Sequence, residues 1–173
     1  MSFDYLIAFG SSIEPRSTYI KQSFDAMAKN GFQMIQASHI YRTKPIGNCN
    51  NTFLNGITLC RHNATPSDVL TILQDIENNL GRQRHGHWID RTIDLDIILC
   101  RDPTNRLLKS FNSQNLVIPH PEAKNRDFVL IPAAELQIPW INEALDLPNA
   151  MKHCRYYTVD GIDSAPPSPS SCL

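Results

Sequence analysis

Glycine is scarce in this chain, seven residues in 173, and none of them forms a G-x-G-x-x-G. Gly81 and Gly86 have the spacing of a Walker loop, but His87 and Trp88 stand where that loop needs Lys and Ser/Thr. A backbone cradle for phosphate is therefore excluded, and any anion must be held by side chains. No C-x-x-C is present, and the five cysteines (Cys49, Cys60, Cys100, Cys154, Cys172) are widely spaced. They read as reduced thiols of a cytoplasmic protein. No window of eighteen apolar residues suggests a membrane span. The opening MSFDYLIAFG carries Asp4 and no basic region, so it reads as a first strand rather than a secretory signal. A formal net charge of -1 offers no global field to nucleic acid or to an anionic membrane. No long exposed apolar stripe demands a partner subunit, so a monomer is expected.

What is present is the material of one α+β domain. At 42% hydrophobic residues the chain can bury a substantial core. Residues 3–9 predict a strand, with Gly10-Ser11 as the turn. Ile20, Phe24, Met27 and Ala28 predict a helix over 18–30, and strands follow at 33–42 and 53–61. Thr65, Pro66 and Asp68 form the start of a second helix. Its apolar face is Val69, Leu70, Leu73, Ile76 and Leu80. Glu77 falls at the edge of that face, either as a boundary residue in water or in a functional role. Residues 91–100 predict another strand. The order βαββαβ is that of a ferredoxin-like antiparallel sheet with helices packed on one face, followed by a C-terminal extension. Residues 1–160 are assigned to one domain, and the Pro/Ser-rich residues 161–173 to a disordered tail.

The chemistry concentrates in RTIDLDIILC, residues 91–100. Alternation in a strand turns Asp94 and Asp96 to the same side, about 6 to 7 Å apart at Cα. Two ionised carboxylates that close repel each other in a poorly hydrated place. A divalent cation would relieve them, and a D-x-D without His or Cys beside it suits Mg²⁺ better than zinc. Taken alone, the pair would more often be an edge strand with both aspartates in solvent. Upstream, however, stand Arg82, Arg84 and Arg91, with His85, His87 and Trp88 among them. Guanidinium groups fork onto phosphate oxygens. Cations for phosphate beside carboxylates for metal make the layout of a nucleotide-phosphate site.

R-T-I-D-L-D-I-I-L after a Trp, then V-I-P-H-P-x-x-x-x-R-x-F-V-L-x-P, resembles the 6-hydroxymethyl-7,8-dihydropterin pyrophosphokinases of folate biosynthesis. A-F-G-S-S, Y-R-T-K-P-I-G at 41–47 and F-L-N-G at 53–56 extend the likeness to about residue 150. The resemblance implies transfer of the pyrophosphoryl group of ATP to the hydroxymethyl oxygen of a reduced pterin, with AMP as the other product. It implies that Asp94 and Asp96 hold two Mg²⁺ ions, and that Asp94 orients or deprotonates the hydroxyl. It assigns Arg82 and Arg91 to catalysis. It assigns Gln74, Arg84, Trp88, Arg91, Ile97, His120 and Arg126 to ATP, with Trp88 on a closing lid. The pterin would lie between Phe53 and Phe128, bonded by Asn55, with backbone around Thr43, Lys44 and Ile46 completing the pocket. Glu77 falls on a position that is acidic in the family.

Three departures stand out. Ile89 and Asp90 replace the family's Gly-Pro before Arg91, and Asp90 adds a negative charge near the phosphates. His87 and Asn115 stand where some members carry arginine. Two rival readings stay open on sequence. One is another Mg-dependent phosphotransferase on a ferredoxin-like sheet. The other is a diverged, non-catalytic pterin- or nucleotide-binding paralogue.

Overall fold

The computed structural model of the chain describes residues 1–82, 89–104, 106 and 108–170. The expected order is found. It runs β1 (Phe3–Ser11), α1 (Arg16–Lys29), β2 (Gln33–Ala37), β3 (Ile40–Thr43), β4 (Phe53–His62), α2 (Pro66–Asn79) and β5 (Asp94–Arg101). A short hairpin of β6 (Phe111–Asn112) and β7 (Val117–Ile118) follows. Then come α3 (Asp127–Glu135), α4 (Pro139–Leu145), α5 (Leu147–Lys152) and β8 (Val159–Ser164). The strands lie in the order β5-β1-β4-β3-β8, with β2 also on β4, and every pairing is antiparallel.

The strand expected over 33–42 is two strands. β2 and β3 both pair β4, and the ladder breaks at Ser38, whose Oγ accepts the Ile57 amide at 3.0 Å. A side-chain oxygen thus takes a backbone acceptor's place and lets the strand bend. Glu135, the last residue of α3, fastens the bend. Its carboxylate accepts the His39 amide at 2.9 Å and the Tyr41 hydroxyl at 2.5 Å.

α2 starts where its sequence says. The Thr65 hydroxyl accepts from the Asp68 amide and donates to the Asp68 carboxylate at 2.7 Å. Gly81 closes the helix at φ +82°, a conformation that costs a residue without Cβ little.

Helices cover both faces of the sheet, not one. Tyr5, Ile7, Phe9, Leu95 and Ile97 form a core with Ile20, Phe24 and Met27 of α1 and Val69, Leu73 and Ile76 of α2. Leu6, Ile57, Leu59, Ile98 and Leu99 form a second core with Val129, Leu130 and Ala133 of α3, Ile141 and Leu145 of α4, and Leu147 and Ala150 of α5. A bulge adds to the second core. The β1–β5 register slips between Leu6 and Ile7, leaving Ile98 as an extra residue, so both Ile98 and Leu99 reach the second core.

The C-terminal segment is tied down. Asp127, buried in the first turn of α3, accepts the Thr158 hydroxyl at 2.8 Å and the Val159 amide at 2.8 Å. The Thr158 carbonyl accepts the Lys44 amide at 2.9 Å. β8 then pairs with β3 and crosses the boundary that composition places at residue 160. Four of the five cysteines fall among the described residues, all four as free thiols.

Candidate active site

The antiparallel order brings the end of β1, the end of β3, and the starts of β4 and β5 to one end of the sheet. The N-terminus of α3 lies over them on the second face. Between them is a cleft of about 500 Å³. Most of the residues expected from sequence meet there: Thr43, Lys44, Ile46, Phe53, Asn55, Arg91, Asp94, Asp96, His120, Arg126 and Phe128.

Registry explains the layout. Gly10 is opposite Asn55 on β4 and opposite Asp94 on β5. Phe53, Asn55, Asp94 and Asp96 therefore share one face, with Gly10 as the gap between the two pairs. Asn55 is buried, and its Nδ2 donates to Thr43 Oγ1 at 2.7 Å. Its Oδ1 lies across Gly10, where an added Cβ would stand 2.3 Å away. Gly10→Ala should consequently push the Asn55 amide out of place. The expected result is a loss of about tenfold or more in affinity for a ligand bound through Asn55, with ATP affinity nearly unchanged. Equilibrium titration with each ligand checks this.

The two aspartates are not equivalent. Asp94 carries both arginines: Arg82 reaches Oδ1 at 2.7 Å and Arg91 reaches Oδ2 at 2.9 Å. Arg82 also pairs with Glu77, whose Oε1 accepts the Leu95 amide at 2.7 Å. Glu77 is 2% exposed, so its carboxylate is not in water, and a bare boundary role is excluded. Burial, then the charge of Asp94, pushes the Glu77 carboxyl up to about 7. The same two causes push Asp96 up to about 7, against the pull of Arg126, Arg82 and Arg91. These carboxyls titrate as a group. The Leu95 amide and Arg82 favour the Glu77 anion, and Arg126, Arg82 and Arg91 favour the Asp96 anion, so burial and the charge of Asp94 are opposed at both sites. Burial and the neighbouring Arg126 push His120 down to about 4, leaving a neutral imidazole in the cleft.

Two carboxylates on one face are hard oxygen donors for a divalent cation that completes its shell with phosphate and water. The fit is supported by Asp96, a half-buried carboxyl in the cleft whose ionisation Asp94 opposes. Among the described residues no group of three or more His, Cys, Asp or Glu could hold a metal by itself.

Other expected residues lie elsewhere. The Ile97 side chain is buried in the core on the α1/α2 face, so only its backbone could meet a nucleotide. Gln74 sits one turn before Glu77 on α2, half-buried and outside the cleft lining. Asn115 is exposed in the β6–β7 turn. Arg84, His87 and Trp88, with the lid expected around them, lie outside the described residues. The structure also adds residues that the sequence did not single out. Glu122, Arg155 and Tyr156 line the cleft. The amides of Arg155 and Tyr156 bond to the Asn125 carbonyl, at 3.2 and 2.9 Å, which fixes the C-terminal loop beside Arg126.

The family model described as 7,8-dihydro-6-hydroxymethylpterin-pyrophosphokinase matches residues 6–138. The chain belongs to this pyrophosphokinase family. Among similar proteins is the 2-amino-4-hydroxy-6-hydroxymethyldihydropteridine pyrophosphokinase of Bacillus subtilis. It is 37% identical over 132 residues, 75% of this chain and 75% of the relative. The enzyme of the same name from Porphyromonas gingivalis is 31% identical over 153 residues, 86% of this chain and 99% of the relative. A solved structure described as HPPK-DHPS in complex with substrates superposes with a TM-score of 0.53 at 13% identity. It covers 76% of this chain, which spans 39% of that longer chain. This likeness supports the fold. Arg155 and Tyr156 lie beyond the part that matches the pyrophosphokinase family model.

Proposed function

We propose that the chain transfers the β,γ-pyrophosphoryl group of ATP to the hydroxymethyl oxygen of 6-hydroxymethyl-7,8-dihydropterin, giving AMP and the pterin diphosphate in folate biosynthesis. The observation that carries the reading, beside family membership, is one cleft in which a carboxylate pair faces a site for a flat polar ring. In this reading Phe53 and Phe128 stack on the pterin, and Asn55, positioned by Thr43, bonds its amide-like edge. Backbone groups of Thr43, Lys44 and Ile46 close the pocket.

Arg91, Arg82 and Arg126 present guanidinium groups to the triphosphate, with His120 as a neutral hydrogen-bonding partner. Arg82 and Arg91 then divide themselves between phosphate and Asp94. Asp94 and Asp96 would hold Mg²⁺, two ions in this reading, and a metal bound there supplies charge neutralisation at the entering and leaving oxygens. Asp94 orients the hydroxyl or takes its proton as the oxygen attacks the β-phosphorus. The bond between that phosphorus and the α-phosphate oxygen breaks, and AMP leaves.

No helix among the described residues is long and apolar enough to cross a membrane. We read the protein as a cytoplasmic monomer that works on small molecules. Its exposed large apolar side chains, such as Ile35, Leu108, Tyr157 and Ile162, come from separate elements.

The test is product analysis. AMP should be released from ATP and Mg²⁺ only when the reduced pterin is added; ADP instead would mean a simple phosphotransferase. Phe128→Ala should weaken pterin binding by about 1 to 3 kcal/mol through lost stacking and burial, and ATP binding far less. Equal losses for both ligands would argue against the sandwich.

A further inference from the structure

Asp90 stands at the rim of the cleft, one residue before Arg91. Its charge suggested repulsion of phosphate, but the carboxylate is spent on backbone. Oδ2 accepts the Asn50 amide at 3.1 Å, and Oδ1 accepts the Asn51 amide at 3.2 Å. Both amides belong to the loop between β3 and β4. That loop carries Ile46 and Cys49 into the cleft and leads into Phe53.

The segment 89–92 is itself anchored on its other side. The Arg91 amide donates to Ser12 Oγ at 2.9 Å, and the Ser12 amide donates to the Arg91 carbonyl at 2.9 Å. The far end of the β3–β4 loop is held to α1, because Arg16 donates to the Thr52 carbonyl at 3.0 Å and to Thr52 Oγ1 at 2.7 Å. Three loops are thus tied into one frame, and Asp90 is the tie between the loop over the acceptor pocket and the segment that carries Arg91 to Asp94. We infer that Asp90 is a positioning residue: it holds the β3–β4 loop over the acceptor, so that Ile46 and Phe53 are set before the pterin arrives. Preorganisation of this kind lowers the cost of ordering a loop on binding. Its effect falls on the acceptor more than on ATP: of the candidate phosphate cations, Arg82 follows α2, Arg126 caps α3, and Arg91 is held by its own bonds to Ser12 and Asp94.

The inference rests on the pyrophosphokinase reading, and two measurements separate the two. In the full-length chain, AMP release gives kcat and KM for each substrate, and amide hydrogen exchange reports Asn50 and Asn51 with no substrate present. Asp90→Ala should raise the pterin KM about five- to twentyfold and leave the ATP KM within about twofold. The Asn50 and Asn51 amides should exchange faster, with Tm nearly unchanged. Asp90→Asn keeps one acceptor oxygen and the same volume. It should rescue most of the pterin KM, and it carries the test where Asp90→Ala folds poorly. An unchanged pterin KM, or equal rises in both KM values, overturns the inference. A parent chain that releases no AMP overturns the functional reading instead, and the exchange data then still decide whether the tie exists.

Discussion

Asp96→Asn should abolish AMP release and at the same time make the protein more stable. The two effects come from one cause. In the folded chain the Asp96 carboxyl is half-buried at the cleft and near Asp94, so desolvation and that charge oppose its ionisation and its pKa is pushed up to about 7 from an ordinary 3.8. A raised folded pKa means that the folded state binds a proton more tightly than the unfolded chain does. That contribution to stability is complete below the unfolded value near 3.8, and it is lost as pH rises through about 7. Glu77, raised to about 7 for the same reasons, acts in the same sense. The parent chain should therefore lose stability between roughly pH 4 and 8 from this cluster. Asparagine has nearly the shape of aspartate and nothing to ionise. The variant should show a flatter pH profile and, near pH 8, a Tm higher by about 2 to 4 °C, which is what about 1 kcal/mol gives in a chain of this size. Turnover should fall on the order of a thousandfold or more, since a neutral amide is a poor substitute for a carboxylate in holding a cation against phosphate. Thermal unfolding across pH and product assays check the pair. Loss of turnover together with loss of stability would mean that Asp96 is ionised and structurally paired, and the reading of the cluster would be wrong.

The parts of the site that were legible in the sequence are those set by short-range rules. Alternation alone places Asp94 and Asp96 on one side of β5, and the same alternation turns Ile97 away from them into the α1/α2 core. Thr65, Pro66 and Asp68 announce α2 because a cap is a local structure. What could not be read locally depends on partners far along the chain. Ser38 breaks a strand by bonding Ile57, nineteen residues on. Residues 161–164 look like tail, but β3 offers them an edge to pair with. Arg155 and Tyr156 carry no motif and reach the cleft only because Asn125 and Asp127 hold their loop. Asp90 reads as a charge near phosphate until the amides of Asn50 and Asn51 are seen to take it up. Glu77 lies on the apolar side of α2, and only Arg82 and the Leu95 amide explain why it can.

That buried group sets the largest expected loss of stability. Arg82 lies between two carboxylates, Glu77 at 2% exposure and Asp94 beside the cleft. Removing the cation leaves Glu77 without its counterion inside the protein, so it must stay charged or take up a proton, and breaking a buried pair from one side costs about 3 to 5 kcal/mol. Arg82→Ala should therefore lower the urea midpoint steeply with little change in slope, and turnover should fall as well, because Asp94 is left with Arg91 alone. A second substitution separates packing from charge. Glu77→Gln keeps an oxygen for the Leu95 amide but carries no charge, so the variant with both changes should recover much of the stability lost by Arg82→Ala alone. It should not recover turnover, since Asp94 still lacks its second arginine. A coupling energy of about 1 kcal/mol or more between the two sites is the expected result of the double-mutant cycle. Additive losses would mean that Arg82 stabilises the fold by filling space, and that the chain from Glu77 through Arg82 to Asp94 does not act as an electrostatic unit.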